Sequence, residues 1–250
     1  MPELAPSRRI AADLRRAIRS GEYGPGHQLP SGSVLMARYG VARQTVQNAI
    51  DLLRVEGLVV GRSGAGWFVR EPPVVQKRLA RIRLSRDERS AGRGTFVIDA
   101  TGGGWTPSVR VLVRRESADE RAAAELHIAV GDEILVRERV MSADGQPVQL
   151  ATSRLPRTLT AGTAIERENT GPGGIYARLE EAGYQLHHFV ERVTCRVTSD
   201  VESSILQLTP GCPVLAITRT AYDTTGTPVE TNDMVLAADR YELIYELPAD

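Results

Sequence analysis

Two cysteines in 250 residues, Cys195 and Cys212, exclude a disulfide framework, and no C-x-x-C pair offers metal or redox spacing. They are read as reduced thiols. No segment approaches the roughly eighteen consecutive apolar residues of a membrane helix, and the opening MPELAPSRRIAADLRR holds no apolar run of leader length. A cytoplasmic protein without membrane contact is expected. The sequence also lacks G-x-S-x-G, H-E-x-x-H and a Walker-type loop. Gly64-x-Gly66 precedes a strand, whereas a dinucleotide loop must open a helix. His187 and His188 are adjacent in a predicted strand and should face opposite sides, and His27 and His127 stand alone. No catalytic residue, metal or cofactor is therefore expected. No repeat of 20 to 50 residues stands out, and a hydrophobic content of 42% suits two packed domains.

Net charge is zero, which hides an uneven distribution. Residues 1–70 hold ten arginines against five acidic residues, and the remainder holds 21 basic against 26 acidic residues. The surplus of five positive charges therefore sits at the N-terminal end, as electrostatic attachment to phosphates requires.

That end also carries the clearest pattern. Within 44–56 the apolar positions Val46, Ala49, Ile50 and Leu53 recur at three- and four-residue intervals, marking one buried helical stripe that Gly57 stops. Arg43, Gln44, Gln47, Asn48 and Asp51 take the opposite face. Arginine forks onto guanine and glutamine onto adenine, so such a helix suits a major groove. Ser31 after Pro30 caps a preceding helix with Val34 and Leu35, and Tyr39-Gly40-Val41 turns between the two. Leu58, Val59 and Val60, then Trp67, Phe68 and Val69, flank Gly61, Gly64 and Gly66 as a two-stranded wing whose tip lets backbone approach phosphate. The pattern is a winged helix-turn-helix. Upstream, Ser7 is expected to cap a helix with Ile10, Leu14 and Ile18 on one face, ending at Gly21. Its Arg8, Arg15, Arg16 and Arg19 are either backbone contacts or a solvated face.

Domain boundaries are expected at 1–72 for the DNA-binding domain, 73–94 for a linker opening on Pro72-Pro73, and 95–250 for a second domain. The linker carries Lys77, Arg78, Arg81, Arg83 and Arg86. Beyond it, strands are predicted at 109–114, 133–142, 147–155, 188–197, 213–223, 228–236 and 240–247, the last closing the sheet. Asp144-Gly145 and Gly226 mark hairpins. Capping-box patterns at 117–120 and 199–202 open helices, and a third spans 175–181. Antiparallel hairpins separated by helices make the fold class α+β. Arg137 and Arg139, two apart on one strand, share a sheet face with Leu135 and would clamp an anion by bidentate hydrogen bonds. A solvent-facing or salt-bridged pair is the alternative.

Leu29-Pro30-Ser31, Tyr39-Gly40-Val41, Arg43-x-Thr45-Val46, Glu56-Gly57-Leu58 and Gly64-x-Gly66-Trp67-Phe68-Val69 closely resemble the DNA-binding domain of the GntR family of bacterial transcriptional regulators. Asp144-Gly145-Gln146-Pro147-Val148, Ser153-x-Leu155-Pro156, Tyr176-x-x-Leu179-Glu180, Asp223 with Val229, and Asp239-Arg240-Tyr241 resemble the UTRA effector domain of its HutC subfamily, which is similar to the chorismate lyase fold. The resemblance implies a homodimeric regulator, usually a repressor, that binds double-stranded operator DNA with an inverted repeat and answers a small-molecule effector. It places Ser31, Arg43, Gln44, Thr45, Gln47 and wing-tip Gly64 at the DNA. It places Arg137 and Arg139 on the pair that grips the phosphate of sugar-phosphate effectors in some members, and adds Tyr176, Arg240 and Tyr241 to the effector site.

The departures from the family pattern are specific. Gly32-Ser33 stands where Glu-Arg is usual, Gln47 replaces a common arginine, and Ala42 replaces Ser or Thr. These imply an unusual operator and weaker phosphate anchoring. Ala151 stands where a carboxylate often binds sugar hydroxyls, and Gly174 where a serine is common, which counts against an amino-sugar phosphate and for a larger or less polar, anionic effector. Alternatives from other classes are an effector-independent repressor, an enzyme using the lyase-like domain, and an architectural DNA binder.

Overall fold

The computed structural model describes residues 5–62, 64–71, the backbone of 76–79, residues 84 and 87, and 95–246 apart from 103, with no side-chain description at 100 and 101. Pro72, Pro73, Arg81, Arg83 and Arg86 lie outside the described residues, as do the side chains of Lys77 and Arg78. The chain divides into two compact units, Met1–Pro73 and Val74–Asp250.

In the first unit α1 (Pro6–Arg19), α2 (Gly32–Tyr39) and α3 (Arg43–Val55) precede a hairpin of β1 (Val59–Arg62) and β2 (Gly66–Val69). Ile10, Leu14, Leu35, Val46, Ala49, Ile50 and Leu53 are at most 1% exposed and form one core. The predicted stripe of α3 is thus its buried face. Ser31 caps α2, its hydroxyl accepting from Val34 N–H, and Gly40 ends that helix in the left-handed region at φ 63°. Ser7 does not cap α1. The helix starts two residues earlier, with Ala5 at the N-cap and Pro6 at the first helical position, where a residue with fixed φ and no N–H fits best. The expected turn before Leu29 also does more. Gly26 N–H donates to Val69 O at 3.0 Å, Val69 N–H to His27 O at 2.8 Å, and Leu29 N–H to Trp67 O at 2.8 Å, so residues 26–29 lie along β2 as a third extended segment of the wing.

The second unit holds a six-stranded antiparallel sheet in the order β4-β5-β6-β9-β8-β7, with β4 at Pro107–Ser117, β5 at Glu133–Ala143, β6 at Gln146–Pro156, β7 at Leu186–Val197, β8 at Pro213–Asp223 and β9 at Pro228–Ala237. Its longer helices are α4 (Thr95–Gly102), α5 (Glu120–Leu126), α6 (Gly174–Glu181) and α7 (Asp200–Leu206), beside a single helical turn at Arg157–Thr160. Asp144 and Gly145, both at positive φ, close the β5-β6 hairpin.

Four expectations need correction. Part of the predicted linker is a strand: β3 (Gln76–Leu79) pairs in parallel with β10 (Tyr241–Ile244). For the same reason the C-terminal strand does not close the large sheet, since its partner comes from upstream of that sheet. Asp119, not Ser117, caps α5 by accepting from Ala122 N–H at 2.7 Å, because Ser117 is still the last residue of β4. His187 and His188 do not point apart. A register irregularity between Leu186 and His188 lets their Nδ1 atoms approach to 3.0 Å, and His188 stacks on Tyr222.

The structure also shows a repeat that the sequence conceals. The run α4-β4-α5-β5-β6 recurs in the same order as α6-β7-α7-β8-β9. His127 and Gln207, eighty positions apart, both end their helices at φ 53°. Asp119 and Ser199 are the matching caps. The strand order reads as one three-stranded unit and its inverse, related by a pseudo-twofold axis between β6 and β9. Leu126/Leu206, Gly131/Gly211, Leu135/Leu215 and Arg139/Arg219 keep the same residue across this spacing. Most other pairs differ, which is why the copy is not visible as sequence similarity.

Candidate functional site

The first unit presents a polar face at the start of α3. Arg43 and Gln44 are exposed, and Thr45 and Gln47 are half-buried beside them. The side chains of α3 brace one another, with Gln44 Nε2 donating to Asn48 Oδ1 at 2.9 Å and Gln47 Nε2 to Asp51 Oδ1 at 3.1 Å. Ala42 caps α3 without any side-chain bond, so the first N–H groups of the helix remain open toward solvent. Ser31 is exposed and its hydroxyl lies 2.9 Å from that of Ser33. Gly64, at φ 71°, is the exposed wing tip, where an added Cβ would meet nothing within 4 Å. Next to it Arg62 lies 4.4 Å over the Phe68 ring, which orients a cation at the wing. Residues 26–29 hold the wing in place, and Gln28 Nε2 donates to Ala65 O at 2.6 Å.

The second unit holds a half-open cavity of about 330 Å³ against the sheet, at the small end of the range for ligand sites. Arg137, Arg139 and Tyr176 all line it, as the sequence predicts. Arg137 is 2% exposed and gives Nη1 to the carbonyl oxygens of Ile165 and Arg167 and Nη2 to that of Glu168 at 2.9 Å. Burial, then the charge of Arg139, pushes its pKa down to about 10. Arg139 donates to the Ser153 hydroxyl and to Asn232 Oδ1 at 3.2 Å, and burial lowers its pKa too. The Nε atoms of both arginines are buried without a hydrogen-bond partner. Arg137 is buried and Arg139 half-buried, and among the described residues neither forms a salt bridge. They are shared between backbone, side chain and cavity.

Arg240 and Tyr241 do not reach this cavity. Arg240 donates to Pro147 O at 2.7 Å, and Tyr241 packs in a core cluster with Phe96 and Met141. In their place stand three residues that the sequence reading missed, Arg219, Glu230 and Asn232. Arg219 is 1% exposed and donates Nε to Glu191 Oε1 at 2.8 Å. Burial opposes its charge, yet Tyr176 and Glu191 outweigh that and hold its pKa above the ordinary value. Tyr176 is kept neutral, its pKa raised by burial and then by Glu230. Glu230 is 1% exposed, and its Oε2 has no hydrogen-bond partner. The signal available in the sequence was alternation: 217, 219 and 221, and 230, 232 and 234, each share a face of their strand.

Family models match both units. Residues 6–69 match "Bacterial regulatory proteins, gntR family", and residues 103–242 match the UTRA domain. An HTH-type transcriptional regulator of Streptomyces coelicolor is 31% identical over 98% of this chain and 93% of its own length. The HTH-type transcriptional repressor NagR of Bacillus subtilis is 28% identical over 94% of this chain and 92% of its own. The crystal structure of a GntR-family transcriptional regulator aligns with a TM-score of 0.70 at 29% identity, covering 98% of each chain. With the exposed polar start of α3 and the wing beside it, these matches establish that the chain belongs to the gntR family of bacterial regulatory proteins, as a DNA-binding transcriptional regulator with a UTRA domain.

Proposed function

We propose that this regulator is a homodimeric, cytoplasmic repressor that leaves an inverted-repeat operator when a small anionic molecule fills the cavity of its UTRA domain, without chemical turnover. The observation that carries this reading is the cavity itself, a concave site on which the polar side chains of Arg137, Arg139, Arg219, Glu230 and Asn232 converge. Arg43, Gln44, Thr45 and Gln47 on α3, with Ser31 and Gly64, are assigned to the DNA. In a dimer two such helices would lie about one DNA turn apart. An effector shifts operator affinity only by its differential binding to the competent and incompetent conformations. We assign residues 1–72 to DNA binding and 95–250 to effector binding and dimerisation.

The test is a gel-shift titration of the full chain on the DNA upstream of its own gene, with fractions of a small-metabolite extract and with random DNA as competitor. A shifted complex that resists random DNA and dissolves with one fraction supports the reading. If no fraction alters DNA affinity, the protein represses without an effector.

A further inference from the structure

The cavity lies where the two halves of the internal repeat meet, and both halves line it. The start of α4 at residues 95–97 and the start of α6 at residues 174–176 contribute the same three positions of equivalent helices. Arg139 and Arg219 are likewise equivalent and both line it. The two halves have diverged in opposite directions around that shared arginine pair. Tyr176 corresponds to Val97, Glu230 to Gln149, and Asn232 to Ala151. One side of the cavity is therefore polar and deep, with Arg219, Glu230, Asn232 and Tyr176 all at most 7% exposed. The other side is apolar and reaches the surface, through Phe96, Met141, Val109 and Val97, the last two 43% and 38% exposed.

Charge limits the occupant further. At the deep end Arg137, Arg139 and Arg219 stand against Glu191 and Glu230, which leaves one positive charge. Glu168 belongs to the exposed rim, where water screens it. Arg137 already spends three hydrogen bonds on backbone carbonyls, so the phosphate clamp implied by the arginine pair is half closed. Arg139, by contrast, bonds among the described residues only to the neutral side chains of Ser153 and Asn232, and it lines the cavity together with Glu230.

Resting on the reading of the cavity as the effector site, we propose that its effector is an amphipathic monoanion: a carboxylate for Arg139, a neighbouring hydroxyl that donates to Glu230, and an apolar body lying against Phe96, Val97, Val109 and Met141. A sugar phosphate reverses both features. It brings close to two negative charges to a site with one positive charge, and hydroxyls to an apolar wall.

The probes are 3-phenyllactate, 3-phenylpropanoate, which lacks the hydroxyl, and glucose 6-phosphate, each titrated calorimetrically into the full chain. Phenyllactate binds, phenylpropanoate binds about tenfold more weakly, as expected for one hydrogen bond to a charged group, and glucose 6-phosphate binds weakest. Arg139→Met removes phenyllactate binding, and Glu230→Met, which removes the acceptor together with one negative charge, brings phenyllactate and phenylpropanoate to the same affinity, whatever the change in charge does to both. Far-ultraviolet circular dichroism and the melting temperature report whether each variant is folded. Glucose 6-phosphate binding most tightly, in an Arg139-dependent way, overturns the ligand class but leaves the site standing. Binding of phenyllactate that survives both Arg139→Met and a substitution that fills the cavity from its wall, Val111→Trp, places the ligand elsewhere and overturns the site. Absence of heat with all three probes at millimolar concentration overturns the proposed class.

Discussion

Arg43 and Gln44 are the residues whose role is most directly testable. An exposed arginine that forks onto a guanine contributes roughly 1–3 kcal/mol of discrimination, so Arg43→Ala should weaken operator binding about tenfold or more and relax preference at one base pair, read by anisotropy against a panel of single-base variants. A uniform loss across all sequences would instead mark it as a phosphate contact. Glu202 tests electrostatics inside the fold. Hydrogen bonds from Arg196, with help from the Ser199 backbone and hydroxyl, hold its carboxyl at about 2, below its ordinary value of 4.5. Because the folded value is the lower one, its stabilisation is complete above pH 4.5 and disappears as pH falls toward 2. Glu202→Gln should therefore lower the melting temperature at neutral pH, with the difference from the parent protein shrinking across that window. At this scale the sequence was legible where spacing alone decides a direction. It placed Arg137 and Arg139 on one face, but could not show that carbonyls at 165, 167 and 168 reach back to Arg137, because that segment arrives from a connection without regular pattern.

Helices and strands were the most legible elements, and their errors share a cause. The stripe of Val46, Ala49, Ile50 and Leu53 and the Asp144-Gly145 turn are local signals, and both stand in the structure. The β3-β10 pair joins residues about 165 positions apart, and no local pattern encodes such a partner. The histidine pair failed for a related reason, since period-two alternation assumes no bulge. The turn between α2 and α3 rests on Gly40 at φ 63°, with open space around the position of a Cβ. Gly40→Ala should cost about 1–2 kcal/mol by backbone strain alone, measured by urea unfolding of the full chain, and Gly40→Asn less, since asparagine tolerates that region. In the core beneath, Leu53→Ala should cost about 2–5 kcal/mol, and with it the orientation of α3.

For the molecule as a whole, zero net charge conceals a basic DNA-binding end and an acidic remainder. Operator affinity should fall steeply with salt, with a slope near 0.9 per phosphate neutralised. The missing arginine at 32–33 and Gln47 in place of another predict a steeper slope for Ser33→Arg and for Gln47→Arg than for the parent protein, measured by anisotropy between 50 and 200 mM salt. The internal repeat is the largest feature that the sequence hid, because its two copies keep shape through caps, left-handed helix ends and a few residues such as Arg139 and Arg219 while the rest diverged. The account stands or falls on coupling between the DNA-binding unit and the cavity. The most direct measurement is a footprint of the full chain on the DNA upstream of its own gene at fixed salt, with and without a small-metabolite extract, repeated with Arg139→Met. The account predicts a short protected palindrome that the extract releases from the parent protein and fails to release from the variant. A palindrome protected equally in every lane, or released equally from both proteins, would contradict it.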